Sequence, residues 1–508
     1  MERKWWTLLA ACTATFMLLL DITIVNVALP DIQKSLHSSF SDLQWVVDAY
    51  ALMLAALLLT AGSFGDILGR RRVFAAGLVL FTAASLTCAL ASSPLFLNLA
   101  RGAQGIGGAI MFATSLALIA QEFQGRERGT AFGIWGATVG FAVAVGPLVG
   151  GALTEYLGWQ WIFYINLPVG LFTLLVTLMR VPEAHQRFEA RIDWPGLVTW
   201  TASLFLLILA LIRGNEEGWS SAEIVGLFSG SVALLVTFVL IERAREYPMF
   251  ELRLFSIPTF TGGALVAFTI AAGMFALFLY LTLYLQNVLL ISPLGTGLRF
   301  LPLSMVSFFA AAAAGPLSER YPVRLFLGFG LTLTGIALLL MHGLTSSSGW
   351  TALLPGFILS GVGIGLVNPP LASTAVGVVE PRMSGMASGI SNTFRQVGIA
   401  TGIAALGALL QARVTSKVEA GLRGMHGLDA GRIAHAVATG ATKQAIASAP
   451  PGARSTIASV ARSAYVSGLN EILLVAAIVS FVGAALGFAL VRRRDFVQVG
   501  SPAAAQAE

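Results

Sequence analysis

Residues 5–30 read WWTLLAACTATFMLLLDITIVNVALP: sixteen uncharged residues from Trp5 to Leu20, one aspartate, then nine more uncharged residues. A helix crossing a bilayer needs about 20 predominantly apolar residues, and this stretch supplies them. A cleaved leader would end its apolar core at small residues. No such site interrupts this run before Pro30, so it reads as a first spanning helix. Working outward, the same measure gives about fourteen runs, near 6–29, 43–64, 73–91, 95–120, 130–155, 160–180, 195–212, 222–241, 259–286, 296–314, 325–342, 351–374, 389–411 and 469–491.

Composition agrees. A chain of 508 residues would make three or four soluble domains at about 150 residues each, but 56% of it is hydrophobic and only 11% charged. Soluble domains carry about 25% charge, so the chain cannot cover a large water-facing globule. The expectation is an all-α polytopic membrane protein with no room for a large soluble catalytic domain. Cys12 and Cys88 lie inside apolar runs without metal-ligand spacing and read as small core residues.

The net charge of +6 does not point to nucleic acid, because its placement follows topology. With the first residues inside, the inner segments carry Arg3 and Lys4, Arg70 to Arg72, Arg126 and Arg128, Arg187 and Arg191, and Arg243, Arg245 and Arg253. Arg320, Arg324, Arg382 and Arg492 to Arg494 follow. The short outer loops hold little beyond Lys34 and Arg213. An even number of spans puts both ends of the chain in the cytoplasm, in a cell membrane. The segment 412–468 falls outside and is expected to form short amphipathic helices decorating that face; residues 496–508 read as a disordered tail.

Two inner loops echo one another. Gly62-Ser-Phe-Gly-Asp-Ile-Leu-Gly-Arg-Arg71 follows the second run, and Gly315-Pro-Leu-Ser-Glu-Arg-Tyr-Pro-Val-Arg324 follows the tenth. A duplicated six-helix unit with two extra helices between the copies produces that offset of eight. The division is then 1–182, a linker pair at 183–255, and 256–495. Repeated halves around a midplane site are a transporter architecture.

Charges inside the apolar runs mark candidate sites, since each costs at least about 2.5–3.5 kcal/mol at the bilayer centre. Asp21 lies about 12 Å in from the outer end of its run at 1.5 Å per residue. Arg101 sits at a similar depth in the fourth run and is a candidate partner for it. Asp48 is one or two turns inside the second run, either a second protonation site or a vestibule charge. Arg395 and Arg299 are embedded in the thirteenth and tenth runs, where a structural charge paired with carbonyls is the plainer reading. Asn26, Gln104, Tyr280, Tyr284, Gln286, Asn287, Asn368 and also Arg395 could line a cavity or simply bond between helices. No histidine lies deep in a run, which leaves carboxylates as the proton carriers. Helix 5 carries Gly133, Gly136, Gly140, Gly146, Pro147, Gly150 and Gly151, spaced for close helix contact, either as a rigid packing face or as a seal between halves. No nucleotide loop, metal cluster or nucleophile triad is present.

These segments together resemble the major facilitator superfamily, in its fourteen-helix drug/proton antiporter branch (EmrB/QacA type). The resemblance rests on Leu20 to Pro30, the loop Gly62 to Arg72, Leu99 to Ala109, Gly140 to Gly151, Trp159 to Pro168 and Asn392 to Gly398. Two positions depart: Ile67 stands where the loop motif has Arg, and Gln160 replaces an Arg between two tryptophans. The resemblance implies a major facilitator fold and an inner gate at Gly62, Asp66, Gly69, Arg70 and Arg71, with Asp66 against the start of helix 13. It implies an antiporter motif at Gly146, Pro147, Gly150 and Gly151. Proton coupling would fall to Asp21, Arg101 and Asp48, with the proton as coupling ion and no other cofactor. The expected partners are amphipathic or cationic small molecules and the lipid bilayer, and the expected state is a monomer. A dedicated exporter of one metabolite or self-made antibiotic, and a sensor on a transporter fold, are the alternatives; an enzyme is not expected.

Overall fold

The computed structural model describes residues 2–496 apart from 39, 124–125, 184–192, 246–249, 381–382, 424–428, 439–445 and 448. Arg187, Arg191, Arg382 and the tail 497–508 therefore lie outside the described residues. Every regular element among the described residues is helical. The long helices of the first half are α1 Arg3–Leu36, α2 Phe40–Leu68, α3 Arg70–Ala89, α4 Pro94–Glu122, α5 Arg126–Leu157 and α6 Trp161–Arg180. Then come α7 Trp194–Glu217 and α8 Ala222–Ala244. The second half contains α9 Pro258–Val288, α10 Pro293–Arg320, α11 Val323–Met341, α12 Leu354–Gly377, α13 Ser384–Gly421 and α14 Arg454–Leu490. Thirteen of these are long and apolar enough to cross a bilayer among the described residues. The remaining one, α5, is a 32-residue helix packed along α1 and α10.

Local chemistry sets where these helices begin. The hydroxyls of Ser93, Ser221 and Ser292 accept hydrogen bonds from the backbone N–H groups of Phe96, Ile224 and Gly295 at 3.1–3.3 Å. The Asp193 carboxylate takes the Gly196 N–H at 3.1 Å. Each satisfies a donor the first turn leaves open, and a proline opens α4 and α10 where its missing N–H costs nothing.

Packing divides the helices. α4 lies against α1, α2 and α3 in the first half, and α14 lies against α9, α11 and α13 in the second. The halves meet along two seams, α5 on α10 and α2 on α13. Glycines make both possible. A Cβ on Gly136 would lie 2.9 Å from Pro369 Cγ of α12, and one on Gly389 would lie 2.8 Å from Leu59 Cα. Gly62 and Gly385 press backbone to backbone across the second seam, as Gly129 and Gly315 do across the first. α7 and α8 pair through Trp200 and Phe238, whose ring centroids are 4.9 Å apart. α7 then bridges the α2–α13 seam: Thr201 bonds Thr60 at 3.1 Å and Asn215 donates to Ala404 O at 3.1 Å.

The segment 412–468 departs from expectation. Its two ends, 412–421 and 454–468, continue the flanking helices: α13 has 38 residues, about 57 Å at 1.5 Å per residue, well beyond a hydrocarbon core of about 30 Å. Val414, Val418 and Leu422 recur at every fourth position and form one apolar face. They are buried with Ile457 and Ala461 of α14 and with Ile433, Ala434 and Val437 of a short helix, Ala430–Ala438. Among the described residues the expected short amphipathic helix appears once, at Ala430–Ala438, and it packs on a folded extension of the second bundle's core. At the end of the chain Phe496, placed in the tail by sequence, instead docks on Gly377.

In α5, a Cβ on Gly150 would stand 2.7 Å from Ile24 Cγ1 of α1. The Gly150→Val protein is expected to lose about 1–3 kcal/mol of stability through overpacking, read as a lower unfolding temperature in detergent.

Candidate functional site

Asp21 and Arg101 form a buried ion pair. Each is 1% exposed, and Arg101 Nη1 donates to Asp21 Oδ2 at 2.5 Å. The second carboxylate oxygen, Oδ1, accepts from Gln104 Nε2 at 2.9 Å and from Asn166 Nδ2 at 3.0 Å. Arg101 also donates to Gln104 Oε1 at 2.7 Å and to the Val46 carbonyl at 3.0 Å, and its guanidinium lies 4.3 Å from the Tyr50 ring centroid. Asn166 is held in turn by Ser85 Oγ at 3.1 Å. Helices α1, α2, α3, α4 and α6 thus all contribute. Three side-chain donors converge on the two carboxylate oxygens. A buried pair survives desolvation only when its remaining valences are met in this way.

Sequence reasoning brought Asp21 and Arg101 together and placed Gln104 only as a lining candidate. It missed Asn166, Ser85 and Tyr50 as members of the cluster. An asparagine flanked by apolar residues at 161–169 was the available signal.

Asp48 stands apart. It is half-buried on α2, a helix that packs against α7. The side chains of Asn26 and Pro147 lie outside the described residues. Gly146 and Gly150 meet Thr23 and Ile24 of α1, and Gly151 approaches Leu294 of α10. The glycines of α5 therefore serve contacts within its own bundle and across the seam. Aromatic rings continue between the halves: Phe16 of α1 lies 5.9 Å from Phe141 of α5, which lies 6.4 Å from Phe308 of α10.

In the second bundle, Arg395 Nη2 donates to Asn368 Oδ1 at 2.8 Å. Tyr280 and Tyr284 are buried in that bundle's core, where their hydroxyls donate to the carbonyls of Ile403 at 2.5 Å and Ser348 at 3.3 Å. Tyr280 thereby ties α9 to α13, and Tyr284 ties α9 to the loop after α11. Gln286 and Asn287 are half-buried in a π-helical turn, Tyr284–Val288. Arg299 donates to the Gly295 carbonyl one turn back at 2.8 Å, the carbonyl-paired arrangement.

At the end of the helices where Arg70 to Arg72 lie, Asp66 spans the second seam. It accepts the N–H groups of Gly385 and Met386 at 3.1 and 2.9 Å, at the start of α13, and pairs with Arg70 at 2.8 Å. Arg70 also donates to Ser384 Oγ at 2.9 Å. Gly69, at φ 101°, takes a backbone conformation few side chains tolerate. Arg71 donates to the Leu178 carbonyl, and its N–H reaches Glu183 at 3.3 Å. The echo loop repeats the arrangement, with Glu319 accepting the Gly129 N–H of α5 at 3.0 Å.

Two outcomes follow. Arg101→Met leaves a buried carboxylate unpaired and is expected to cost about 3–5 kcal/mol, with the Asp21→Asn/Arg101→Met double variant recovering part of it; thermal unfolding in detergent measures both. Asp66→Asn removes the anion at the start of α13, where such contacts contribute about 0.3–1 kcal/mol at exposed sites. A Met386→Cys reporter at that seam is expected to react faster with a maleimide in the Asp66→Asn background, the native cysteines both being buried.

Comparison with known proteins agrees with this architecture. Over 417 residues the chain is 37% identical to the multidrug resistance protein Stp of Mycobacterium tuberculosis, covering 81% of this chain and 77% of that one. It is 33% identical to the tetracenomycin C resistance and export protein of Streptomyces glaucescens, covering 95% and 91% of the two chains. The solved proton:xylose symporter XylE superposes with a TM-score of 0.62 at 13% identity, over 96% of both chains, and so shares the fold. Residues 11–403 match the Major Facilitator Superfamily. This chain is a multi-pass membrane transporter and belongs to that superfamily.

Proposed function

We propose that the protein exports amphipathic small molecules in exchange for protons, by alternating access. The observation that carries this reading is Asp21, a lone carboxylate fully enclosed by donors from α4 and α6. Protonation would neutralise the carboxylate on which Arg101, Gln104 and Asn166 converge, so the contacts joining α1, α4 and α6 must change with it. A proton is thereby linked to helix packing.

The moving bodies are 1–182 and 256–495, the face bearing Arg70 to Arg72 is cytoplasmic, and the working unit is a monomer in the cell membrane. Asp66 and Glu319 hold the cytoplasmic face shut in the conformation described. A proton arriving from outside neutralises Asp21 as cargo departs, and its release inside restores the ion pair.

The energy is adequate. A charge moving down about 150 mV releases roughly 3.5 kcal/mol, which at about 1.4 kcal/mol per tenfold sustains a gradient of a few hundredfold for a neutral compound. The Phe16–Phe141–Phe308 row suits apolar cargo, and Asp48 is available to cations. The names of the similar proteins support drugs or antibiotics as cargo. The tetracenomycin C exporter, similar over nearly the whole chain, favours a second reading: a dedicated exporter of one such compound.

Proteoliposomes with an imposed pH gradient test the proposal. The parent is expected to move ethidium uphill, and Asp21→Asn is expected to lose that transport at normal expression and insertion. Absence of transport by the parent, for ethidium and for a neutral dye, would leave a sensor as the better reading. Asp48→Asn is expected to impair the cation more than the neutral dye.

A further inference from the structure

Arg395 differs from the other buried arginines, Arg70 and Arg101, which each pair with a carboxylate, and from half-buried Arg299, which has a helix carbonyl and the face of Trp350 at 5.2 Å. Arg395, 9% exposed, has the neutral amide oxygen of Asn368 at 2.8 Å and the ring of Phe275 at 5.7 Å. Among the described residues no carboxylate pairs with it. A full positive charge in a low-dielectric interior, met only by a dipole and a ring face, is poorly compensated.

The surroundings are built to hold this charge in place. Phe275 closes a π-helical turn, Ala271–Phe275, an interruption that recurs at functional sites. Around it α13 lies flush on α9: a Cβ on Gly398 would be 2.5 Å from the Phe268 carbonyl, and Gly402 abuts Ala272. The backbone of α13 that carries Arg395 is therefore held close against α9. The position of Asn368 and Arg395 is also on the side facing the first bundle, since Pro369 rests on Gly136 of α5 and Gly389 on Leu59 of α2. Ser388, Asn392 and Arg395, spaced by four and three residues, extend a buried polar row along α13 toward that seam.

We infer that Arg395 is a binding point for an organic oxyanion, the carboxylate, phenolate or sulfonate of an amphipathic substrate held between the bundles. A planar guanidinium with one nitrogen on Asn368 keeps donors for a two-oxygen anion, and Phe275 offers an apolar surface beside it. Cargo would then include anionic and zwitterionic compounds as well as the cations that Asp48 would favour. This assignment rests on the exporter reading for its role in the cell, but the binding itself does not require transport.

The test is equilibrium binding to the purified full chain in detergent, without a gradient, using carboxyfluorescein and ethidium as anionic and cationic probes. The ratio of their affinities is expected to shift against carboxyfluorescein by about tenfold or more in Arg395→Gln, about 1.4 kcal/mol, and by a smaller factor in Arg395→Lys, which keeps the charge but loses the two-pronged fork. Arg299→Gln, outside the site, is expected to leave the ratio unchanged. If Arg395→Gln unfolds, the Arg395→Lys and Asn368→Leu proteins carry the comparison, the latter expected to lower the ratio by loosening the guanidinium. An unchanged ratio in folded Arg395→Gln, an equal shift in Arg299→Gln, or no carboxyfluorescein binding by the parent overturns the inference. A falling ratio in a protein that fails to export either dye upholds the anion site and defeats the exporter reading alone.

Discussion

A carboxylate enclosed in a medium that cannot solvate it is the constraint on which the first bundle depends. Asp21 is tolerated because Arg101, Gln104 and Asn166 surround it, and those side chains reach it only because their helices lie unusually close. α4 achieves this with glycine: a Cβ on Gly105 would be 2.5 Å from the Tyr50 carbonyl of α2, and one on Gly107 would be 2.6 Å from Phe81 N of α3. The small residues at 102–108 therefore have a clear physical purpose. They set α4 close against α2 and α3, the helices whose Val46, Tyr50 and Ser85 complete the cluster around Arg101 and Asn166.

The same economy of glycine recurs at the seams, where rigid bundles meet along narrow backbone contacts. Asp66 at α13 and Glu319 at α5 perform one job in two places, an acid on one half accepting N–H groups at the start of a helix on the other. The matching loops after α2 and α10 thus correspond to matching contacts in space. α7 and α8 complicate the symmetry, because α7 covers only the α2–α13 side through Thr201 and Asn215. The two seams are unequal in their surroundings although they are built alike.

How much was legible in the sequence depended on whether the signal was local. Apolar runs of adequate length located the helices, and Asp21 and Arg101 stood out because a charge there has no solvent. Gly62, Asp66 and Arg70 were readable as a latch through resemblance. Asn166 and Ser85 were not, since an asparagine or serine in an apolar helix looks the same whether it bonds an acid or a carbonyl. For Tyr280 and Tyr284 the sequence left lining and interhelical bonding both open, and their hydroxyls bond the carbonyls of Ile403 and Ser348. The projection of α13 and α14 escaped notice because Val414, Val418 and Leu422 acquire meaning only opposite Ile457 and Ala461. Arg395 and Arg299 likewise look equivalent in sequence and differ only in their neighbours.

The central claim is that Asp21 alternates between a charged and a neutral form as cargo comes and goes. Counting protons released when ethidium binds to the purified protein, in weakly buffered solution on the acid side of neutrality, addresses it directly. The parent is expected to acidify the medium as ethidium binds, and the Asp21→Asn protein to bind without doing so. Equal acidification by both would contradict the account and move the exchangeable proton to another group.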